Sequence, residues 1–565
     1  MGLTIPKPIL HISNLRNKAS DTFSNTSSIS PTTSTTAICI FVISMFILYT
    51  TGTLSAGSSN RPPGPPRRYF GLNKSSAGMP PWKAFTFLQK KYGPVSSLYQ
   101  GQTLLVVLGT IKAATDLLDK RGSIYSSRPR NIMASELMSG GMRGLSMPYG
   151  QRWRNWRSLM HAGMGIEASQ GYKSLQSLES TILMHDLLHE MDVKKYAGHL
   201  RRFAISVVYS VAYGRRVHTL DDPVVVANFQ TDERFITYST PGKYIVESWP
   251  VLLKLPGFLQ WFAYEPRRQR AADTQLYLSL LRSVQAQMAV GPDAAPPSTA
   301  RRALEKHGGA EGTLNDFGLD ELETAYALSA PFSAGVGTTL ATLDVFFLAM
   351  LHNPHAMRRA QAEIDALLGV GAGSQHRLPD FEDAEGLPYV RALIKETMRW
   401  RPIAPLGVPH SIIADDTYEG MLIPKGSTVF ANIYAMSKDE GMFPSPDEFK
   451  PERYLNLDDS SSTDSSPHPS FFFGFGRRIC PGMHVAQNSL FIVITRILWA
   501  FNVAPIKDAS GNPILPSPDD FIGGLVVRPS PFNFVLEPRT DRRDDVRALV
   551  DEEWMRAMEQ APMLG

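Results

Sequence analysis

The stretch FFFGFGRRICPGMHVAQNSLFIVITRILWAF, residues 471–501, decides how this chain is read. Up to Gly482 it is punctuated by glycine and carries Arg477, Arg478 and Cys480. Beyond Met483 it turns apolar at helical spacing, with Leu490, Phe491, Ile494, Ile497, Leu498 and Phe501 on a buried face. A loop therefore feeds a core helix. Pro481 suits the first helical position, so Cys480 is expected at a helix N-terminus, where orphan amides and the helix dipole lower a thiol pKa. Gly474, Gly476 and Gly482 let the backbone approach something flat and bulky. Arg478, two residues before the cysteine, is placed to neutralise an anionic group on that object.

A thiolate, a closely approaching backbone and a cation together describe the proximal side of a haem held by cysteine. The pattern Phe473-x-x-Gly476-x-Arg478-x-Cys480-x-Gly482 resembles the haem-binding signature of the cytochrome P450 family. The resemblance implies haem b with Cys480 as axial thiolate and metal ligand, and Phe473, Gly474, Arg478 and Gly482 around it. Other motifs are similar to the family's at the expected distances. Glu396 and Arg399 share a helix face at i and i+3 in LPYVRALIKETMRWRP. With Arg453 of Pro451-Glu-Arg-Tyr454 they imply a structural, haem-supporting lock. Trp153 and Arg157, about one turn apart, resemble the pair that the family aims at a haem propionate. His410 in PLGVPH corresponds to a position that often binds the other propionate, with a plain surface histidine as the alternative. The implied fold is mostly α with small β-sheets, one large haem domain spanning residues 67–538.

The oxygen side is expected on the helix from Leu319 to Leu351. Its middle, Ala334-Gly-Val-Gly-Thr-Thr339, resembles the family's oxygen-activating groove, where small residues let the helix bulge. Gly335, Gly337 and Thr338 are the implied catalytic positions, Thr338 through a hydroxyl that helps deliver protons. The family usually has Asp or Glu immediately before that threonine; here it is Gly337. A carboxylate relays protons by ionising and rotating, so the proton route has to run through water or through a group elsewhere. Asp344 lies six residues on, about 240° around the helix from Thr338, and is no direct substitute. Pro331 is expected to kink the helix about a turn before the groove.

Composition bounds the rest. A length of 565 residues, 43% hydrophobic and 19% charged, allows a large core, and 57 basic against 53 acidic residues leave only +4, too little to suggest nucleic acid. Two cysteines exclude a disulfide scaffold and a Cys-rich zinc module. No charge occurs from Thr22 to Asn60. Residues 36–54 form an apolar run of about 28 Å as a helix, near bilayer thickness, and are expected to be a single transmembrane anchor holding Cys39; a cleaved signal or transit peptide is the alternative. A Ser/Thr-rich tail (1–35) precedes it, with an acceptor sequon at Asn25. A Pro-rich hinge (55–66) follows as an extended spacer. The charge-dense end (539–565) has Val546, Leu549 and Val550 at helical spacing. Val290–Thr313 and Leu457–Ser470 read as surface loops.

By resemblance, Phe332, Ala334, Ile403, Leu406, Val408 and Phe521 line a substrate pocket. The Met-rich residues 128–150 read as an adaptable loop over the haem. Residues 229–262, with Tyr238, Trp249, Phe258, Trp261 and Phe262, offer a membrane-facing entrance or ordinary core. The expected activity is insertion of one oxygen atom from O2 into a lipophilic small molecule, a terpenoid, polyketide or similar secondary metabolite. Electrons would come from NADPH through a reductase docked near Arg152, Arg154 and Arg477, at the endoplasmic reticulum membrane with the catalytic domain cytosolic. A reductase-independent isomerase or dehydratase and a non-catalytic haem protein are the alternatives. Motif style (PLGVPH, FIGGLVVRP, PERY) resembles fungal secondary-metabolism members.

Overall fold

A computed structural model describes residues 60–66, 78–190, 192–291, 294–305, 314–369, 377–455, 470–539 and 543–560. The expected anchor, Asn25, Cys39 and nearly all of the 457–470 loop lie outside the described residues.

The core is organised around the helix Ala330–His352. Its second half is apolar apart from Thr342 and Asp344: Leu340, Ala341, Leu343 and every residue from Val345 to Leu351 are 7% exposed or less. Such a helix is stable only if wholly enclosed. The helices Tyr196–Tyr213, Pro388–Trp400 and Met483–Ala500 pack around it. Among the described residues, Glu321–His352 has the length and hydropathy of a membrane span, but most of it is buried inside the protein.

That stretch is two helices where the sequence suggested one. Asp320 opens Glu321–Leu328 with a capping box: its carboxylate accepts from Glu323 N at 2.7 Å while Glu323 reaches back to the Asp320 amide. The chain turns at Ser329 and restarts at Ala330. Pro331 sits in the first turn of the restarted helix, where its missing N–H is no loss, and the interruption at Ser329 falls just before it.

The main sheet has four strands in the order Val95–Gln100, Thr103–Leu108, Thr428–Ala431, His410–Ser411, with the middle pair parallel. Its Leu104–Leu108 run is buried throughout, as expected for a strand covered on both faces. This sheet delivers His410 to the site. The end of the Pro-rich stretch is no free spacer: Ser97 N donates to Pro63 O at 2.8 Å and Ser97 Oγ to Pro62 O at 2.6 Å. A Cβ on Gly64 would come within 1.7 Å of Ser97 O, so only glycine permits that approach. Residues 290–313 also depart from a surface loop. Thr299–Glu305 is helical, Thr299 and Ala300 are fully buried, and Thr299 Oγ1 donates to Val211 O. The C-terminal residues Arg543–Gln560 form a helix that packs on Lys173–His189 through buried Val546 and Val550.

Candidate functional site: a thiolate loop facing an open helical groove

The cysteine loop is held from behind. Arg399 grips Glu396 through two bonds of 2.7 Å, and both side chains are fully buried, so this is no surface pair. Glu396 Oε1 also accepts from Lys450 N at 2.8 Å and lies 3.4 Å from Arg453 Nε. Arg399 continues to the carbonyls of Ser437 and Pro446, and Arg453 to those of Pro444 and Ser445. The three residues thus fasten the helix Pro388–Trp400 to the chain leading into the loop. Gly476 has φ +56° and a Cβ there would lie 2.0 Å from Leu118 O. Gly474, at φ +90°, turns the chain in open space, and Phe473 O accepts from Cys480 N at 3.0 Å.

The helix after the loop starts at Met483, with Pro481 and Gly482 in the preceding turn. The Cys480 thiol is pushed up, not down: burial dominates, opposed by the Gly482 amide donating to sulfur and by Arg157. The dipole argument from sequence underweighted desolvation.

Cations surround this loop. Arg478 donates to Ser126, Gly144 and Met147 carbonyls and stacks on Trp153 at 4.2 Å. Arg128 donates to Leu145, Val408 and Pro409 carbonyls, and Arg157 to Ile479 O at 2.5 Å. Among the described residues no carboxylate pairs with any of the three. Burial, then Arg128 and Arg157, pull Arg478 down to about 8. Burial alone pulls Arg128 down to about 9. His410 is buried, its Nδ1 2.8 Å from Tyr125 O; burial and then Arg128 hold it neutral, at about 3. It is not a surface histidine.

Opposite lies the groove. Ser333, Ala334 and Gly337 are exposed in a helix whose second half is largely buried, and a Cβ on Gly337 would meet nothing within 4 Å. Gly335 is tight instead: a Cβ there would lie 2.7 Å from Val208 Cγ1. Thr338 Oγ1 donates to Ala334 O at 2.7 Å within a continuous helix, so the expected bulge is absent. Asp344 faces elsewhere, 2.6 Å from Arg528 and raised to about 6 by burial.

A family model for cytochrome P450 matches residues 62–536. A cytochrome P450 monooxygenase of Postia placenta is 38% identical over 88% of this chain and 92% of that protein. One from Aspergillus aculeatus is 36% identical, covering 85% and 88%. Among solved structures, a zebra fish cytochrome P450 with progesterone has a TM-score of 0.66 at 25% identity, covering 82% of this chain and 100% of that one. The chain belongs to the cytochrome P450 family. It is a P450 monooxygenase, an oxidoreductase, and the family implies haem on a cysteine thiolate.

The residues fit that group. A buried cluster of cations without carboxylates is unfavourable by itself and is complementary to two propionates. Trp153 Nε1 is buried without a hydrogen-bond partner, a donor awaiting an acceptor. The exposed Ala334–Gly337 surface provides the open face.

Several expected P450 pocket residues fall otherwise. Phe332 is 3% exposed, packed edge-on against Tyr209 and Phe229 at 5.4 and 5.2 Å, and does not line the groove. Ile403, Leu406, Val408 and Phe521 are part-exposed. The Met-rich segment is not a loose loop. Ile132–Met138 is a helical turn capped by Asn131 and tied by Glu247 to two of its amides, and Met133, Met138, Met142 and Met147 are all buried. Of the entrance aromatics, Phe258 and Trp261 are exposed (85% and 68%), whereas Tyr238 and Phe262 are packed. Arg152 is engaged by Glu323 at 2.6 Å. Arg154 and Arg477 flank Tyr149 at the surface.

Sequence reasoning missed one group. Ser333 Oγ donates to Asp232 Oδ1 at 2.6 Å and accepts from Arg143 Nη1 at 3.2 Å. Burial raises the Asp232 carboxyl pKa, against Arg143. Ser333 lies one turn before Gly337 on the same face.

Proposed function

We propose that this P450 inserts one oxygen atom into a lipophilic small molecule reaching it from a membrane, with electrons from NADPH through a flavoprotein reductase. One observation carries the reading: an uncompensated cation cluster and an orphan indole N–H lie at the Cys480 loop of a fold whose central helix is opened at Ala334 and Gly337. Haem, when bound, supplies the redox chemistry that activates dioxygen.

The chain's residues do the rest. Cys480 is the ligand, its sulfur tuned by the Gly482 amide, since Pro481 has none to offer. Arg478, Arg128, Arg157 and Trp153 hold the propionates, and Glu396, Arg399 and Arg453 keep the loop in register. Thr338 anchors water, because a hydroxyl donating to Ala334 O still accepts. Asp232, whose carboxyl pKa is raised by burial, supplies the titrating group that the residue before Thr338 lacks, with Ser333 as the hydroxyl that relays between it and water at Gly337. Exposed Phe258, Trp261 and Tyr264 support a membrane-facing entrance, and part-exposed Leu406 and Val408 support an apolar pocket. The endoplasmic reticulum, with the catalytic domain cytosolic, is the matching location. Arg154 and Arg477 suit an acidic reductase face. A terpenoid or polyketide type of substrate rests on motif style alone.

Gly337 also favours a second reading, an isomerase or dehydratase needing no delivered protons. Turnover with purified reductase and NADPH separates the two. The monooxygenase consumes oxygen and yields a product one oxygen heavier; unchanged product composition without NADPH consumption would sink it. Lipophilic candidates are ranked beforehand by the low- to high-spin shift of the haem.

A further inference from the structure

Far from the haem site, the C-terminal helix meets the helix Lys173–His189 at a group of side chains that no part of the monooxygenase chemistry uses. His185 and His189 are four residues apart and share one helix face. Asp551 arrives from the C-terminal helix, and one ligand atom from each of the three lies within 4.8 Å of the others. We propose that His185, His189 and Asp551 form a binding site for a zinc-like transition-metal dication that clips the C-terminal helix to the body of the protein.

The 2.8 Å contact is that of a His–Asp hydrogen bond, and the three side chains together lie within reach of one metal ion. Tetrahedral zinc with N and O ligands at about 2.0–2.1 Å has ligand–ligand edges of about 3.3 Å. Asp551 Oδ1 is 2.8 Å from His189 Nε2 and 3.8 Å from His185 Nε2, which brackets that edge. The two Asp551 edges need shifts of only about half an ångström to match, and the side chains, one-quarter to two-fifths exposed, are free to adjust.

The surroundings already orient the rings. His185 stacks on Trp554 at 4.4 Å and 14°, fixing its plane. Its Nδ1 is buried without a hydrogen-bond partner, and the Asp186 carboxylate stands 3.8 Å from it. With Nε2 on a metal, the Nδ1 proton points toward that carboxylate, the usual support behind a ligating histidine. Two imidazoles and one carboxylate select zinc, copper or nickel over magnesium and calcium, which prefer oxygen ligands throughout. The exposed side leaves room for a water as fourth ligand. Occupancy would add to the packing of Val546, Val550 and Ala557 that holds this helix.

The test uses the full-length, haem-loaded protein, stripped with chelator and titrated calorimetrically with zinc chloride. The expected result is saturable binding of one equivalent in the wild type. Affinity should fall at least ten-fold in both H189A and D551N. Zinc should also slow proteolytic removal of the C-terminal helix in wild type and not in H189A. Position 189 is exposed enough that H189A folds, which its unchanged haem spectrum verifies. No saturable zinc binding by the wild type, or equal affinity in either variant, overturns the proposal.

Discussion

The two faces of the haem site are built to different degrees. On the cysteine side the charged groups are tied down by hydrogen bonds, while the Trp153 indole N–H is left without a partner. Glu396 is held by Arg399, Lys450 N and Arg453, Arg478 spans three carbonyls, and Gly476 fills a space that admits no Cβ. On the groove side there is slack. Gly337 faces open space, Thr338 is bonded only within its own helix, and the acid in reach sits on a different helix. A ligand that must not move needs the first kind of construction. A passage for oxygen, water and varied substrates needs the second. Substitutions on the two sides should accordingly fail in different ways, by losing the haem environment or by wasting electrons.

The largest effect is expected at the ligand itself. Cys480→Ser removes the thiolate, so the red-shifted Soret band of the reduced carbon-monoxide complex should vanish, and turnover with it. An unaltered band would show that another residue is the ligand.

Next comes the buried lock. Glu396→Gln leaves Arg399, fully buried, without its charge partner, and such a break costs about 3–5 kcal/mol. Denaturant unfolding should record that loss together with faster haem release. A change below about 1 kcal/mol would mean that the carbonyls of Ser437, Pro446 and Glu448 suffice to hold Arg399.

The contrast between the faces also governs how much could be read from sequence. The cysteine side is legible because glycines, cysteine and arginine fall within a dozen consecutive residues, and backbone approach demands those types. The helix Pro388–Trp400 is likewise legible, because Glu396 and Arg399 fall at i and i+3 on one of its faces. The acid of the groove was not. Ser333, Asp232 and Arg143 meet across separations of 101 and 190 residues, and no local pattern marks them. Phe332 was misplaced for a related reason: it sits on the groove helix, but which side of that helix a neighbour covers is decided by Tyr209 and Phe229. The thiol's direction of shift also needed burial, which a dipole argument from sequence omits.

A smaller and more specific effect belongs to Asp232. Asp232→Asn keeps the shape and removes the titrating proton. Product formed per NADPH should fall roughly ten-fold, less than for a directly placed acid because water still delivers protons. The sign with pH follows from the raised carboxyl pKa. Protonated Asp232 persists to higher pH than an ordinary aspartate, then is lost as pH rises through its own titration. Wild-type coupling should decline over that range, whereas the variant should be low and flat. Equal pH profiles would remove Asp232 from the proton route.

The smallest change tests the same idea from the opposite direction. Gly337→Asp restores a carboxylate beside Thr338, and the open space there means that it enters without a clash. Helix propensity changes by only about 0.3 kcal/mol, so the fold should be indifferent. If Asp232 acting through Ser333 already meets the demand for protons, the single variant should alter coupling less than two-fold. In the Asp232→Asn background, however, it should recover most of the lost product per NADPH. That asymmetry, near silence alone and rescue in combination, is what one proton task shared between two positions requires. Equal gains in both backgrounds would instead mean that Gly337 limits coupling by itself, leaving the groove less finished than the cysteine side and with no second supplier.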